Sequence, residues 1–175
     1  MESLVKTKWA VDPAHSEVGF KVKHMMISTV KGHFENFEVD VESENDDFKD
    51  ADITVKVDIN SIKTKNADRD GHLKSPDFFN AEEYPHMTFK STSFDGSKLI
   101  GELSIRDVTK EVELDVHYNG SAEDPYGNMK AGFEITGEIN RKDFGLSWDA
   151  VTEAGNIVVS DSVKLVIDAQ LVKQA

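Results

Sequence analysis

The sequence predicts an all-β chain of about eight antiparallel strands, and three observations carry that prediction. Apolar and polar residues alternate with period two through most of the 175 residues, which is the signature of half-buried strands. The alternating runs are joined mostly by short polar turns, so neighbouring runs pair antiparallel in a closed barrel or a sandwich. One segment, Arg69–Ser91, breaks the pattern with a short helical, aromatic-bearing stretch, expected to act as a plug or lid. Gly101 and Gly137 stand mid-strand on the apolar face, where a missing side chain permits sharp coiling or leaves space for a ligand; this favours the barrel.

A short strand is expected around Trp9–Val11. Val18, Phe20 and Val22 then face one way, with Glu17, Lys21 and Lys23 opposite, and Phe37, Val39 and Val41 repeat the pattern against Glu38, Asp40 and Glu42. Ile53, Val55, Val57 and Ile59 alternate with Thr54, Lys56 and Asp58. Asn66–Lys74 is the one helix expected, with Asp68 and Asp70 near its positive end and Leu73 as its apolar anchor. Phe78 and Phe79 are adjacent, so they do not share one face of a strand, and Asn80–Pro85 reads as a helical turn stopped by proline. Met87 and Phe89 lead a strand through Ser91 and Ser93, and Leu99, Gly101, Leu103 and Ile105 form the next. Arg106–Lys110 reads as a tight turn before Val112, Leu114, Val116 and Tyr118; Ala131–Ile139 and Val163–Leu171 complete the set. Ser43–Asp50 and Ser121–Gly127 are loops, and Arg141–Asp161, with Phe144, Leu146 and Trp148, is long enough to line a rim.

The length fits one domain over residues 1–175, with room for a substantial core or a hollow barrel. Apolar residues at 38% and charged residues at 30% describe an ordinary soluble chain. A net charge of −13, with no basic stripe to neutralise phosphates, argues against nucleic acid. Residues 1–12 hold no apolar run of the length a signal peptide or membrane helix needs, so a cytoplasmic protein without stable membrane insertion is expected. Zero cysteines remove disulfides, thiol catalysis and thiolate metal sites. The six histidines show no tight ligand spacing, so neither metal nor cofactor is expected.

Ordered motifs run through nearly the whole chain. They are Asp12-Pro-Ala-His-Ser16, Val18-Gly-Phe20, His24, Gly32-His-Phe34, Phe37, Ile62-Lys-Thr64, Arg69-Asp70, His72-Leu73, Ser75-Pro-Asp-Phe-Phe79, Tyr84-Pro85 and Phe89-Lys-Ser91, followed by Gly101-Glu-Leu103, Ile105-Arg106, Val108-Thr109 and Arg141-Lys-Asp-Phe-Gly145. In these the chain resembles the YceI-like proteins, bacterial polyisoprenoid-binding proteins. The resemblance implies an extended lipocalin-like barrel holding a long isoprenoid or another amphiphile, and pairing into a homodimer; the short helical segment of the residue pattern then covers one end. The family usually has glycine where Asp107 stands.

Inward candidates for the apolar cavity are Phe20, Val22, Phe37, Val39, Val55, Val57, Phe78, Phe79, Met87, Phe89, Leu103, Phe133, Ile135 and Phe144; by type each is also an ordinary core residue. Arginine is scarce, and Arg69, Arg106 and Arg141 all lie in the matching motifs. With His24, they are the polar candidates for a head group, although an arginine paired with Asp70, Asp107 or Asp143 has a purely structural use. Asp12, His15 and Ser16 invite a hydrolase reading, but neighbours on a strand point to opposite faces and no G-x-S-x-G elbow is present, so no catalytic residue is expected. The leading expectation is a non-catalytic carrier of an isoprenoid or similar lipid, covered by Pro76–Phe79 and the Arg141–Trp148 loop. Two alternatives are an enzyme acting on a lipophilic substrate through His24 or Asp12 and His15, and a stress-related protein-binding scaffold with a packed barrel.

Overall fold

The computed structural model describes residues 7–24, 27–43, 48, 51–76, 78–146 and 159–174. Trp148, Asp77, the side chain of His24 and most of the Ser43–Asp50 loop lie outside them. Eleven strands occur among the described residues: β1 (Thr7–Val11), β2 (Glu17–His24), β3 (Ser28–Phe34), β4 (Phe37–Ser43), β5 (Asp52–Asp58), β6 (Ile62–Lys63), β7 (His86–Phe94), β8 (Lys98–Ile105), β9 (Val108–Glu123), β10 (Met129–Asn140) and β11 (Val159–Lys173). One α-helix, α1 (Ala67–Lys74), joins them.

Eight of the strands close an antiparallel barrel in the order β1-β4-β5-β7-β8-β9-β10-β11, with β11 returning to β1. The long strand β11 holds the closure together. Its C-terminal end pairs with β1, Val11 opposite Leu171, while its N-terminal part pairs with β2, Val18 opposite Ile167. β1 and β2 therefore follow one another along the same edge of β11. Pro13 separates them because its nitrogen has no proton for the ladder; Asp12 caps the short 3-10 turn Pro13–His15 by accepting from Ala14 N at 3.1 Å. Beyond the break, β2 carries β3 and then β6 away from the ring, so the wall widens at that end.

β3 was not expected as a strand. Val30, Gly32 and Phe34 do alternate, but a glycine in the middle position conceals the apolar repeat. β5 also ends one residue early, since Ile59 opens a 3-10 turn with Asp58 as its cap. The expected Arg106–Lys110 turn contracts to Arg106–Asp107, with Ile105 opposite Val108. Only Arg106 of the pair has a positive φ, 56°, so an aspartate at 107 needs no left-handed backbone.

α1 starts where Asn66 accepts from Arg69 N at 3.0 Å. Asn80–Pro85 forms one hydrogen-bonded turn, with Tyr84 N donating to Asn80 O at 2.8 Å. The glycines in mid-strand leave no empty space. An ideal Cβ at Gly101 would lie 2.5 Å from Phe89 Cζ, and one at Gly137 would lie 2.3 Å from Leu114 Cδ2. Neighbouring side chains lie in both gaps, so the space directly over each glycine is filled by the protein itself.

Candidate functional site: an apolar lumen

Inward residues of the strands enclose a cavity of about 200 Å³. Val163, Leu165, Ile167, Ala169 and Leu171 face it from β11. Eight residues of strand at roughly 3.3 Å each, tilted about 40° to the barrel axis, make the lumen on the order of 20 Å long. Its lining is almost entirely carbon. Among the described residues, Thr88 and Arg141 are the only lining residues with polar side chains, and the Arg141 guanidinium donates to Leu146 O at 2.6 Å and faces Asp161 at 3.8 Å.

Aromatic rings close in at both ends. At one, Phe48 packs against Trp9 and Phe133 with ring centroids 4.9 Å apart in each case, and Tyr118 stacks on Phe133 at 5.1 Å. At the other, Phe34 meets Phe20 at 5.8 Å and Phe79 at 6.1 Å. Phe78 and Phe79 both line the lumen, while the Phe78 ring also packs nearly perpendicular to the His72 ring, with centroids 5.1 Å apart. They lie on a segment outside any strand, so consecutive residues can both be turned inward.

Twelve of the fourteen apolar candidates line this lumen: Phe20, Val22, Val39, Val55, Val57, Phe78, Phe79, Met87, Phe89, Leu103, Phe133 and Ile135. Phe37 and Phe144 do not. Phe37 has the parity of Val39 and Val41, but it lies where the wall has split; it packs toward the cluster of Val18, Phe34, Val57, Ile59 and Ile62 and borders a shallow recess with His33 and Glu35. Phe144 is buried in the 3-10 turn Arg141–Phe144, within the core cluster but not among the residues that line the lumen. Several lining residues escaped the reading. Leu99, Ile105, Leu114 and Leu171 were already on inward parities, so periodicity could have found them, whereas Phe48 lies in an acidic loop that gives no periodic signal.

The three arginines bind backbone. Arg69 Nε donates to Thr64 Oγ1 at 2.9 Å, and its Nη2 donates to Thr64 O. Arg106 Nη1 donates to Phe78 O at 3.3 Å and Gly145 O at 3.1 Å, and its buried Nε has no hydrogen-bond partner among the described residues. Ser16 Oγ accepts from Gln170 N at 2.9 Å, while His15 Nδ1 lies 2.9 Å from Asp12 Oδ2. The ring of His15 is the main cause holding the Asp12 carboxyl below the ordinary aspartate range, with Lys130 Nζ at 3.3 Å helping. No group of three or more possible metal ligands occurs among the described residues. No helix there is long and apolar enough to cross a membrane.

A family model described as the YceI-like domain matches residues 9–171, from the first strand that closes the barrel to the last. The chain belongs to the YceI-like family. Among this YceI-like chain's relatives is the UPF0312 protein SAS2572 of Staphylococcus aureus strain MSSA476, 39% identical over 165 residues that cover 94% of this chain and 96% of the relative. A Campylobacter jejuni YceI protein of known crystal structure is 32% identical, covers both chains in full and superposes with a TM-score of 0.73. Burkholderia cenocepacia BcnA shares the fold at 21% identity, with a TM-score of 0.77 over 91% of this chain and 98% of its own. So does a domain from Saccharophagus degradans described as polyisoprenoid-binding, at 13% identity and a TM-score of 0.68 over 95% and 98% of the two chains.

Proposed function

We propose that this YceI-like barrel binds, carries or stores an isoprenoid or similar amphiphilic lipid, without transforming it, with the hydrocarbon tail in the lumen. The almost wholly carbon lining of the cavity is the observation that supports this reading. Burial of each CH₂ is worth roughly 0.8 kcal/mol, so a few prenyl units offset the cost of immobilising the ligand. A polar head gains nothing inside, since an unpartnered buried polar group costs about 1–3 kcal/mol. The head therefore stays at an opening. Of the polar candidates, Arg106 has the best claim to it, because its buried Nε–H has no acceptor among the described residues. A domain of the same architecture described as polyisoprenoid-binding adds support.

The experiment is organic extraction of the purified protein followed by mass spectrometry, with native mass spectrometry for intact adducts. A prenyl or similar lipid near one per chain is the expected result. Absence of any adduct after incubation with prenyl lipids would overturn the proposal and favour a packed scaffold.

A further inference from the structure

Three glycines on the inner face lie directly beneath side chains that line the lumen. An ideal Cβ at Gly137 would stand 2.3 Å from Leu114 Cδ2 and 3.6 Å from its Cγ. At Gly32 it would stand 2.3 Å from Phe20 Cζ, 2.7 Å from Cε1 and 2.9 Å from Thr64 Cγ2. At Gly101 it would stand 2.5 Å from Phe89 Cζ and 2.6 Å from Lys90 O. Non-bonded carbons rest about 3.5–4.0 Å apart, so each covering side chain occupies space that a Cβ would take. Phe20 is the direct cross-strand partner of Gly32, and Phe89 reaches Gly101 diagonally from beside Leu103. Phe20, Phe89 and Leu114 all face the cavity.

These side chains recline on the neighbouring strand instead of standing across the lumen. A methyl group at the glycine would raise each of them by roughly 1 Å or more. We infer that Gly32, Gly101 and Gly137 set the bore of the lumen, and with it the thickness of chain it accepts: they keep room for a hydrocarbon bearing methyl branches, which is wider than a linear acyl chain. This inference rests on the lipid-binding reading. The three positions differ in what they touch. Gly101 closely faces a backbone carbonyl, which does not yield, and Gly32 also meets Thr64; at Gly137 the close contact is with the far end of a flexible leucine, while Glu113 O lies at an ordinary 3.7 Å. Gly137 is therefore the position at which bore can be changed with least disturbance of the fold.

The test measures binding of geranylgeraniol and of hexadecanol, the linear alcohol of the same main-chain length, to the wild-type chain, Gly137→Ala, Leu114→Ala and the double variant, with thermal melts to check folding. Gly137→Ala is expected to weaken geranylgeraniol relative to hexadecanol by roughly tenfold or more, the worth of a methyl-sized misfit in an apolar pocket. Leu114→Ala in the same chain is expected to restore the wild-type ratio, since no side chain is then displaced. A folded Gly137→Ala with the wild-type ratio would overturn the inference. If Gly137→Ala alone does not fold, the double variant is compared with Leu114→Ala, and a shifted ratio between those two would overturn it equally. A wild-type chain that takes up neither alcohol would instead overturn the lipid reading on which the inference stands.

Discussion

Arg106 Nη1 donates to the main-chain carbonyl of Phe78 at 3.3 Å, and the same nitrogen donates to Gly145 O at 3.1 Å. One cation at the tip of the β8–β9 hairpin thereby ties the segment carrying Phe78 and Phe79 to the turn that follows β10. The positive φ of Arg106 aims its side chain from a two-residue turn. Two elements over the lumen depend on this one group.

Arg106→Ala should lower stability by about 1.5–3 kcal/mol, the range for hydrogen bonds from a charged donor. It should also free the Phe78–Phe79 segment. Hydrogen exchange at Phe78 and Phe79 and urea unfolding measure the two effects. Unchanged exchange at both amides would show that the segment is held by packing alone.

Thr64 and Asp70 form a second fixed point. Asp70 Oδ1 accepts from Thr64 N at 2.8 Å and from Thr64 Oγ1 at 2.5 Å, with Arg69 on the opposite side of the threonine. The network couples the end of β6 to α1, whose Leu73 reaches the lumen. Asp70→Ala strands the buried N–H and hydroxyl of Thr64, at a cost of about 1–3 kcal/mol for each such group. Chemical denaturation should therefore show Asp70→Ala to be more destabilising than Thr64→Val, which removes the hydroxyl along with its need for a partner, keeps the bond from the residue 64 N–H, and costs only the bond from the half-buried Arg69 Nε.

Gly101→Ala should destabilise by about 1–3 kcal/mol through overpacking. Adding Phe89→Ala should not rescue it, because Lys90 O stays 2.6 Å from the new Cβ. Full recovery in the double variant, read from unfolding midpoints, would mean that the backbone shifts more readily than its sheet pairing implies.

Asp12 predicts a pH dependence. Its carboxyl is held below the ordinary value of 3.8, first by the hydrogen bond with His15. A carboxylate with a depressed pKa in the folded state contributes stability that is present above that ordinary value and lost as pH falls through the lower folded one. The pairing is partly solvated, so the contribution is a fraction of a kcal/mol. As pH falls below 3.8, the urea midpoint of the wild-type chain should fall more steeply than that of Asp12→Asn. Parallel curves would count against Asp12 as a source of that acid sensitivity.

The inner wall was legible wherever period two ran unbroken. Val39, Val55, Met87, Phe89, Leu103 and Ile135 could be turned inward from the alternation of their neighbours alone. Reading failed where the chain left that period. Gly32 hid β3, and Phe48 reaches the core from a loop whose composition signals only solvent. Phe37 kept the right parity in the wrong place, because parity fixes a face of the strand and not whether that face still borders the lumen.

By itself the sequence determined the all-β class, the strands with strong alternation, the helix that ends at Lys74 and the family, since all of these depend on residues near one another or on the order of motifs. Only the tertiary structure decided that β11 closes on β1, that β2 and β3 leave the ring after Pro13, and that Phe89 and Leu114 lie back over Gly101 and Gly137. Those outcomes depend on which strands meet and on the volume left between them. They arise from closure and close packing across segments far apart in the chain, and no local pattern of residues encodes them.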